Sequence, residues 1–254
     1  MVNIEFVIIL LIGLFAGGYG IIVGAGGGFI LVPALLIIMD MPPEIAAGTG
    51  LVVVMVNALS GISSFIRDKR IEYFLSIFIL IGALPGSFIG VRLAEILPAE
   101  TFYAAFGVML LVLSGFLFWK NSGKQGEGTG KEPVVLTTPV KISLVLVGIM
   151  MGIVSTFFGI GGGWLMVPIL IYIYRVTPYR ATATSIFSLC LYSIAGVMIH
   201  MSSGHVDWPV AIWGGIGAML GAQVGVFISR RIPGKVTIQL LSVLLLVIGV
   251  KMLL

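Results

Sequence analysis

Charged side chains are scarce in this sequence: Asp, Glu, Lys and Arg together make up only 9% of its 254 residues. Soluble domains carry about 25% charged residues. Because 59% of the residues are hydrophobic and the mean hydropathy is +1.20, no polar face is large enough to cover a water-soluble core. The composition therefore predicts a protein embedded in a lipid bilayer.

Cysteine and histidine are almost absent. The single Cys190 excludes an intrachain disulfide and a cysteine metal cluster. His200 and His205 show no metal-ligand spacing, and no histidine or cysteine lies near a membrane acid in the sequence. We therefore expect no cofactor, no metal site and no enzymatic activity. We place the two histidines at a membrane interface, with a pH-sensing role as the alternative.

Acidic residues are missing from the middle of the predicted membrane spans, since Glu5, Glu44 and Glu100 lie at span ends. A cation carrier usually needs a carboxylate there, so the sequence argues against one. Glu72 and Asp207 fall at the edges of spans, where we expect them to cap helices or face the interface. The net charge of +4 does not predict nucleic-acid binding, since the basic residues of a membrane protein mainly set its orientation.

Glycine, in contrast, is abundant at 35 residues, and its positions repeat. Aligning residue i with residue i+135 gives 11 identities in the 27 positions from 24 to 50, and the register continues without a gap over about a hundred residues. The aligned pairs include Gly24 with Gly159, Gly26 with Gly161, Gly27 with Gly162, Gly28 with Gly163, Pro33 with Pro168, Ala46 with Ala181 and Thr49 with Thr184. The sequence is therefore an internal duplication of one unit.

Each copy contains five apolar stretches separated by polar or glycine-rich turns. They run over 3–23, 29–40, 44–66, 73–94 and 100–119 in the first copy, and over 139–158, 164–175, 179–201, 208–229 and 235–254 in the second. The sequence thus predicts an all-α polytopic membrane protein with about 8–10 transmembrane segments. Its parts are a first repeat (1–120), a polar linker (121–138) and a second repeat (139–254).

An odd number of stretches per copy predicts that the second repeat is inverted relative to the first. If every stretch reverses direction, 12 of the 14 basic residues fall on the side of the linker and only Arg92 and Lys251 on the other. By the positive-inside rule the linker is cytoplasmic and both termini lie outside the cytoplasm, in a multi-pass protein of the inner (plasma) membrane.

The second stretch of each copy has about 12 residues, and such a helix spans only about 18 Å of a hydrocarbon core about 30 Å thick. We therefore expect short broken or re-entrant helices whose glycine turns meet near the membrane midplane. Helix N-termini exposed there favour an oxyanion, which makes Gly26, Gly27, Gly28, Gly161, Gly162 and Gly163 candidate substrate-binding residues. Close helix packing is the alternative explanation of these glycines.

The third stretch of each copy begins at a proline suited to the first helical position, Pro43 or Pro178. Polar residues follow on one face of each predicted helix. Thr49, Asn57, Thr184 and Ser188 are candidate substrate-binding residues on these faces, with hydrogen bonding between helices as the alternative. Gln223 is a weaker candidate for lining the substrate path.

The duplicated glycine motif, with its prolines, resembles the sulfite exporter TauE/SafE family over nearly the whole chain. The matching motif residues outside the expected binding turns are Gly24, Pro33, Ala46, Gly159, Pro168 and Ala181. The two halves differ beside the motif, where Ala47-Gly48 corresponds to Thr182-Ala183.

The resemblance implies a permease for sulfite, organosulfonates such as sulfoacetate or related sulfur anions, usually in efflux. Together with the repeat, it predicts alternating access around a midplane site, with one repeat rocking against the other. A passive anion channel and a permease for another small organic anion remain alternatives. Coupling to protons or another ion, and assembly into a homo-oligomer, are left open.

Overall fold

The computed structural model describes residues 4–122, 137–229, 231 and 234–253. These residues form ten α-helices and no strand, as the sequence predicts. The helices are α1 (Ile4–Val23), α2 (Gly28–Ile38), α3 (Pro43–Arg67), α4 (Tyr73–Ile96), α5 (Ala99–Ser122), α6 (Thr138–Phe158), α7 (Gly163–Tyr172), α8 (Pro178–Ser202), α9 (Trp208–Ser229) and α10 (Gly234–Leu253). Most of the predicted linker, 123–136, lies outside the described residues.

Helix starts follow the 135-residue repeat because local residues set them. Proline occupies the first position of α3 and α8, at Pro43 and Pro178, where its missing N–H costs nothing. Glycine begins both α2 and α7, at Gly28 and Gly163. The pairs α4 with α9 and α5 with α10 also begin 135 residues apart.

Seven of the described helices are long and apolar enough to cross a membrane. They are α1, α3, α4, α5, α6, α8 and α9. The helices α2 and α7 have only 11 and 10 residues, which gives each a length of roughly 16 Å. The predicted short helices after the glycine motifs are therefore present.

Close glycine contacts join helices from different halves of the chain. On α1, an added Cβ at Gly17 would lie 2.4 Å from the carbonyl oxygen of Ala218 on α9. An added Cβ at the equivalent Gly152 on α6 would lie 2.3 Å from the carbonyl oxygen of Ala83 on α4. Such spacing lets helix backbones touch in lipid, where small residues dominate interfaces.

Two pairs of equivalent helices pack directly against each other and run antiparallel. In the α3–α8 pair, Gly48 faces His200 while Leu51 faces Gly196, so the sequence numbers run in opposite directions. The α5–α10 pair is antiparallel as well, since Gly107 faces Leu253 and the Ser114 hydroxyl donates to the Ser242 carbonyl. Of the seven candidate spans, α3 and α8 are the most buried and form the centre of the molecule.

Candidate functional site

The two glycine loops touch each other at the centre of the protein. We call residues 24–28 the first loop and 159–163 the second loop. An added Cβ at Gly28 would lie 2.5 Å from Cα of Ile160, and one at Gly163 would lie 3.0 Å from Cα of Ala25. Ala25 and Ile160 are repeat-equivalent, so the same contact is made from both sides.

Positive φ angles explain why glycine recurs in these loops. The φ angle is +79° at Gly26 and +81° at Gly27, and it is +66° at Gly161. Residues with a Cβ lose about 1–2 kcal/mol in this left-handed region. The loops are not identical, because Gly162, the mate of Gly27, has a φ of −69°.

Each loop leads directly into the N-terminus of a short helix. The helix α2 starts after Gly27 and α7 after Gly162, and neither start has a side-chain cap in the described structure. The first turn of a helix carries N–H donors without intrahelical acceptors and about half a positive charge. Since the loops touch, two such helix ends converge at one place, which suits a small anion.

Ser185 on α8 links the two loops. Its hydroxyl is buried and lies within hydrogen-bond distance of the Gly24 carbonyl (3.0 Å) and of the Gly163 carbonyl (3.1 Å). Its mate at position 50 is a glycine, so this link has no counterpart in the other half. A single side chain thus holds the second helix start against the first loop.

An apolar pair fills the space beside both loops. Val54 on α3 and Leu189 on α8 are repeat-equivalent and buried. The side chains of both residues lie against Gly26 of the first loop and Gly161 of the second. We call Val54 and Leu189 the central plug, because their side chains lie against both loops.

Two polar side chains in equivalent positions face the loops. The Asn57 amide donates one N–H to the Gly26 carbonyl at 2.9 Å, and its buried Oδ1 has no partner among the described residues. The mate of Asn57 is Tyr192, whose buried hydroxyl lies beside Gly162. Asn57 keeps a second N–H donor, so these groups complement the helix ends.

The three predicted hydroxyl candidates are all committed to hydrogen bonds. Thr49 accepts from the backbone N–H of Asp207 at 2.9 Å, and Thr184 accepts from that of Glu72 at 3.0 Å. Ser188 donates to the Thr184 carbonyl within its own helix. The matched bonds of Thr49 and Thr184 tie α3 to the start of α9 and α8 to the start of α4. Their role in binding substrate stays a prediction.

Gln223 is exposed and donates to the Ser60 carbonyl and hydroxyl, so it faces outward beside α3, away from the loops. Asp207 caps α9 by accepting from the Val210 N–H, as expected for a span edge. Glu72 instead pairs with Arg180 at 2.7 Å. The central plug and Ser185 were missed by sequence reasoning, which within α3 and α8 considered only polar residues on the helix faces that carry Thr49 and Thr184.

Replacing Ser185 with alanine is expected to destabilise the protein by about 1–3 kcal/mol, because two buried carbonyls lose a shared donor. Thermal unfolding of purified Ser185→Ala in detergent measures the change. Ser193→Ala is the control, since Ser193 only bonds the Cys190 carbonyl of its own helix. Equal melting temperatures for the two variants would contradict a linking role for Ser185.

Comparison with known proteins shows the family of this chain, and the match covers nearly the whole chain. The family model described as Sulfite exporter TauE/SafE matches residues 9–252. The chain is 31% identical to the probable membrane transporter protein YunE of Bacillus subtilis, covering 98% of this chain and 97% of that protein. It is 28% identical to the probable membrane transporter protein MJ0441 of Methanocaldococcus jannaschii, covering 97% and 95%. No solved structure matches the chain.

These relatives are named as membrane transporters, and the family is one of transporters rather than enzymes. The match covers both glycine loops, the helices α2 to α9, and most of α1 and α10. The resemblance first seen in the duplicated glycine motif is therefore confirmed. The chain belongs to the sulfite exporter TauE/SafE family and is a multi-pass membrane transporter.

Proposed function

We propose that the protein exports a small sulfur-containing anion, such as sulfite or an organosulfonate, by alternating access around the touching glycine loops. The observation that carries the proposal is the convergence of two helix N-termini at one buried place. Together they supply roughly one positive charge without a lysine or arginine. The amide of Asn57 and the hydroxyl of Tyr192 add donors that suit sulfonate oxygens.

The proposed orientation is that of an inverted repeat in the inner membrane. The antiparallel contacts of α3 with α8 and of α5 with α10 support it, since equivalent helices then point toward opposite faces. The basic residues, 12 on the linker side against two, favour a cytoplasmic linker with both termini outside. The glycine loops would then be approached from opposite sides of the membrane.

The moving bodies in this proposal are not the two sequence repeats. The first group contains α1, α9 and α3, because close glycine contacts join α1 to α9 and α9 packs on α3. The second group contains the equivalent helices α6, α4 and α8. Each group therefore mixes helices from both halves. We propose that these two groups rock against each other at the α3–α8 crossing, and that the central plug separates to admit the anion from one side at a time.

Thermal stabilisation of the purified protein tests the substrate class. The panel contains sulfite, sulfoacetate and thiosulfate, with sulfate, chloride and the cations sodium and choline as comparisons. We expect one or more sulfur anions to raise the unfolding temperature in a saturable way, since a ligand that binds only the native state stabilises it by mass action. A shift from a cation alone would contradict the anion site.

Two mild substitutions locate the site. Asn57→Leu and Tyr192→Phe remove donors beside the first and second loops. We expect each to lower the anion affinity, read from the thermal stabilisation, by about tenfold, the value of one lost hydrogen bond to a charged group. Tyr19→Phe is the control, because the Tyr19 hydroxyl bonds the Leu240 carbonyl away from the loops. Unchanged anion affinity in both loop variants would place the site elsewhere.

A further inference from the structure

His200 is fully buried inside the protein near the C-terminal end of α8. Its Nε2 lies 2.9 Å from the carbonyl oxygen of Thr156. A carbonyl only accepts, so Nε2 carries a proton and donates it. In the neutral ring Nδ1 then holds a lone pair, and it is buried with no partner among the described residues.

A second imidazole shares this environment. The ring of His205 lies 5.7 Å from that of His200, centroid to centroid. The Nδ1 of His205 is likewise buried without a partner in the described part of the chain. Buried polar nitrogens are normally satisfied, so two adjacent orphans indicate a ligand, and a proton is the ligand that an imidazole lone pair takes most readily.

Two features of the surroundings favour a positive charge on this pair. Thr156 is in the last turn of α6, whose C-terminus carries about half a negative charge. Glu95 at the end of α4 interacts electrostatically with both histidines and is held by Ser203 at 2.8 Å. Burial of the His200 ring and the neighbouring His205 oppose a charge there, while the Thr156 carbonyl and Glu95 favour it.

Among the described charged groups of the neighbouring helices, Arg67 of α3 and Arg180 of α8 lie at the helix ends far from the histidine pair, so few remain at this end. They are Glu44 on α3, Arg92 on α4, which pairs with Glu95 at 2.9 Å, and Asp207 after α8. The end of α6 presents no charged residue. The carboxylates outnumber the single arginine, so the local balance is acidic and supports a protonated imidazole.

The histidine pair connects directly to the second glycine loop. His200 holds Thr156, three residues before Gly159, where that loop begins. Across the interface, an added Cβ at Gly48 would lie 3.2 Å from the His200 ring, and Ala47 packs on Gly159. A change of charge at His200 therefore reaches the second loop by two routes: through the end of α6 at Thr156, and through the close contact of Ala47 with Gly159.

The equivalent position at the other end of the protein carries a permanent charge. Arg70 is the mate of His205, and it stacks on Tyr179 at 3.3 Å and pairs with Asp68 at 2.7 Å. Phe65, which cannot titrate, is the mate of His200. The two ends of one pseudo-symmetric site thus differ in chemistry: one cation is fixed and the other depends on pH.

We propose that His200 and His205 form a proton-binding site whose protonated form holds the transported anion more tightly at the adjacent loop. The proposal rests on the proposed function, because the anion is its second ligand. Binding is reciprocal: protonation raises anion affinity, and the anion raises proton affinity by the same factor. Loss of the proton then releases the anion at this end of the protein.

The chain has only two histidines, which allows a direct test that needs no transport assay. The full-length protein, labelled with ¹⁵N-histidine in nanodiscs, is titrated by NMR from about pH 5 to about pH 8, the range in which imidazoles change charge. Comparison with His205→Gln assigns the signals. We expect at least one imidazole to titrate, and Glu95→Gln to make it lose its proton at lower pH. Imidazoles that both stay neutral throughout would overturn the proposal.

The second arm adds methanesulfonate, whose own charge does not change in this range. We expect it to hold the proton on the pair to higher pH, and its affinity to fall about tenfold from the acidic to the basic end, within the usual range of coupling between sites. His200→Gln keeps a donor for Thr156 and should make affinity independent of pH. Binding that stays pH-dependent in His200→Gln would overturn the coupling. If no sulfur anion binds, the proposed function fails while the proton titration still stands.

Discussion

Gly161→Ala is expected to lower sulfite counterflow in proteoliposomes by about tenfold or more. The new Cβ would lie 2.5 Å from Leu189 and 2.7 Å from Val54, and the φ of +66° adds strain of about 1–2 kcal/mol. A loss of 1.4 kcal/mol corresponds to a factor of ten. The Leu189 atom ends a flexible side chain that can move away, whereas β-branched Val54 is stiff. The variant should therefore still fold while its loop and the central plug are displaced.

A double variant separates crowding from strain. Leu189→Ala removes one of the two close neighbours, so Gly161→Ala combined with Leu189→Ala should recover part of the counterflow relative to the product of the single effects. Gly115→Ala is the matched control, because an added Cβ there meets no heavy atom within 4 Å. Full counterflow in Gly161→Ala would show that the second loop does not hold the substrate.

Gly82→Ala and Gly217→Ala are each expected to destabilise the protein by about 1–3 kcal/mol, the usual cost of overpacking. An added Cβ would lie 2.0 Å from the Val145 carbonyl at Gly82 and 2.1 Å from the Leu10 carbonyl at Gly217. A backbone carbonyl cannot rotate away, so the α4–α6 and α1–α9 pairs must separate. Thermal unfolding in detergent, followed by size-exclusion chromatography, measures the change.

The two glycines lie in different helix pairs without shared neighbours, so their effects should add in the double variant. Gly115→Ala again supplies the control for a helical glycine in open space. If both variants unfolded at the wild-type temperature, the close backbone contacts would not contribute to stability. Unequal effects would instead show that the two equivalent helix pairs are not equally tight.

The fold was predictable where glycine and proline act locally. Gly28 and Pro43 set helix starts through their own backbone preferences, and the repeat transfers the same starts to Gly163 and Pro178. The meeting of the loops followed from the short second stretches. The sequence therefore led to the helix order, the short helices and the family, because each depends on residues close together in the chain.

Other features depend on contacts that no local pattern reveals. Val54 and Leu189 are apolar residues in apolar helices, so nothing distinguishes them from residues that face lipid. Ser185 has a glycine as its mate and lies off the helix face that carries Thr184 and Ser188, so no pattern marks it. The ring of His200 bonds a carbonyl 44 residues away on α6, and no local pattern indicates that this side chain is buried.

The interleaving of the two halves has a consequence for biogenesis. The glycine face of α1 packs on α9, which leaves the ribosome only after seven intervening helices. Until then that face is open to lipid or to helices of other proteins in the translocon. Final assembly is therefore a late, post-insertion event, and quality-control proteases would encounter the first five helices as an unfinished product rather than as a folded domain.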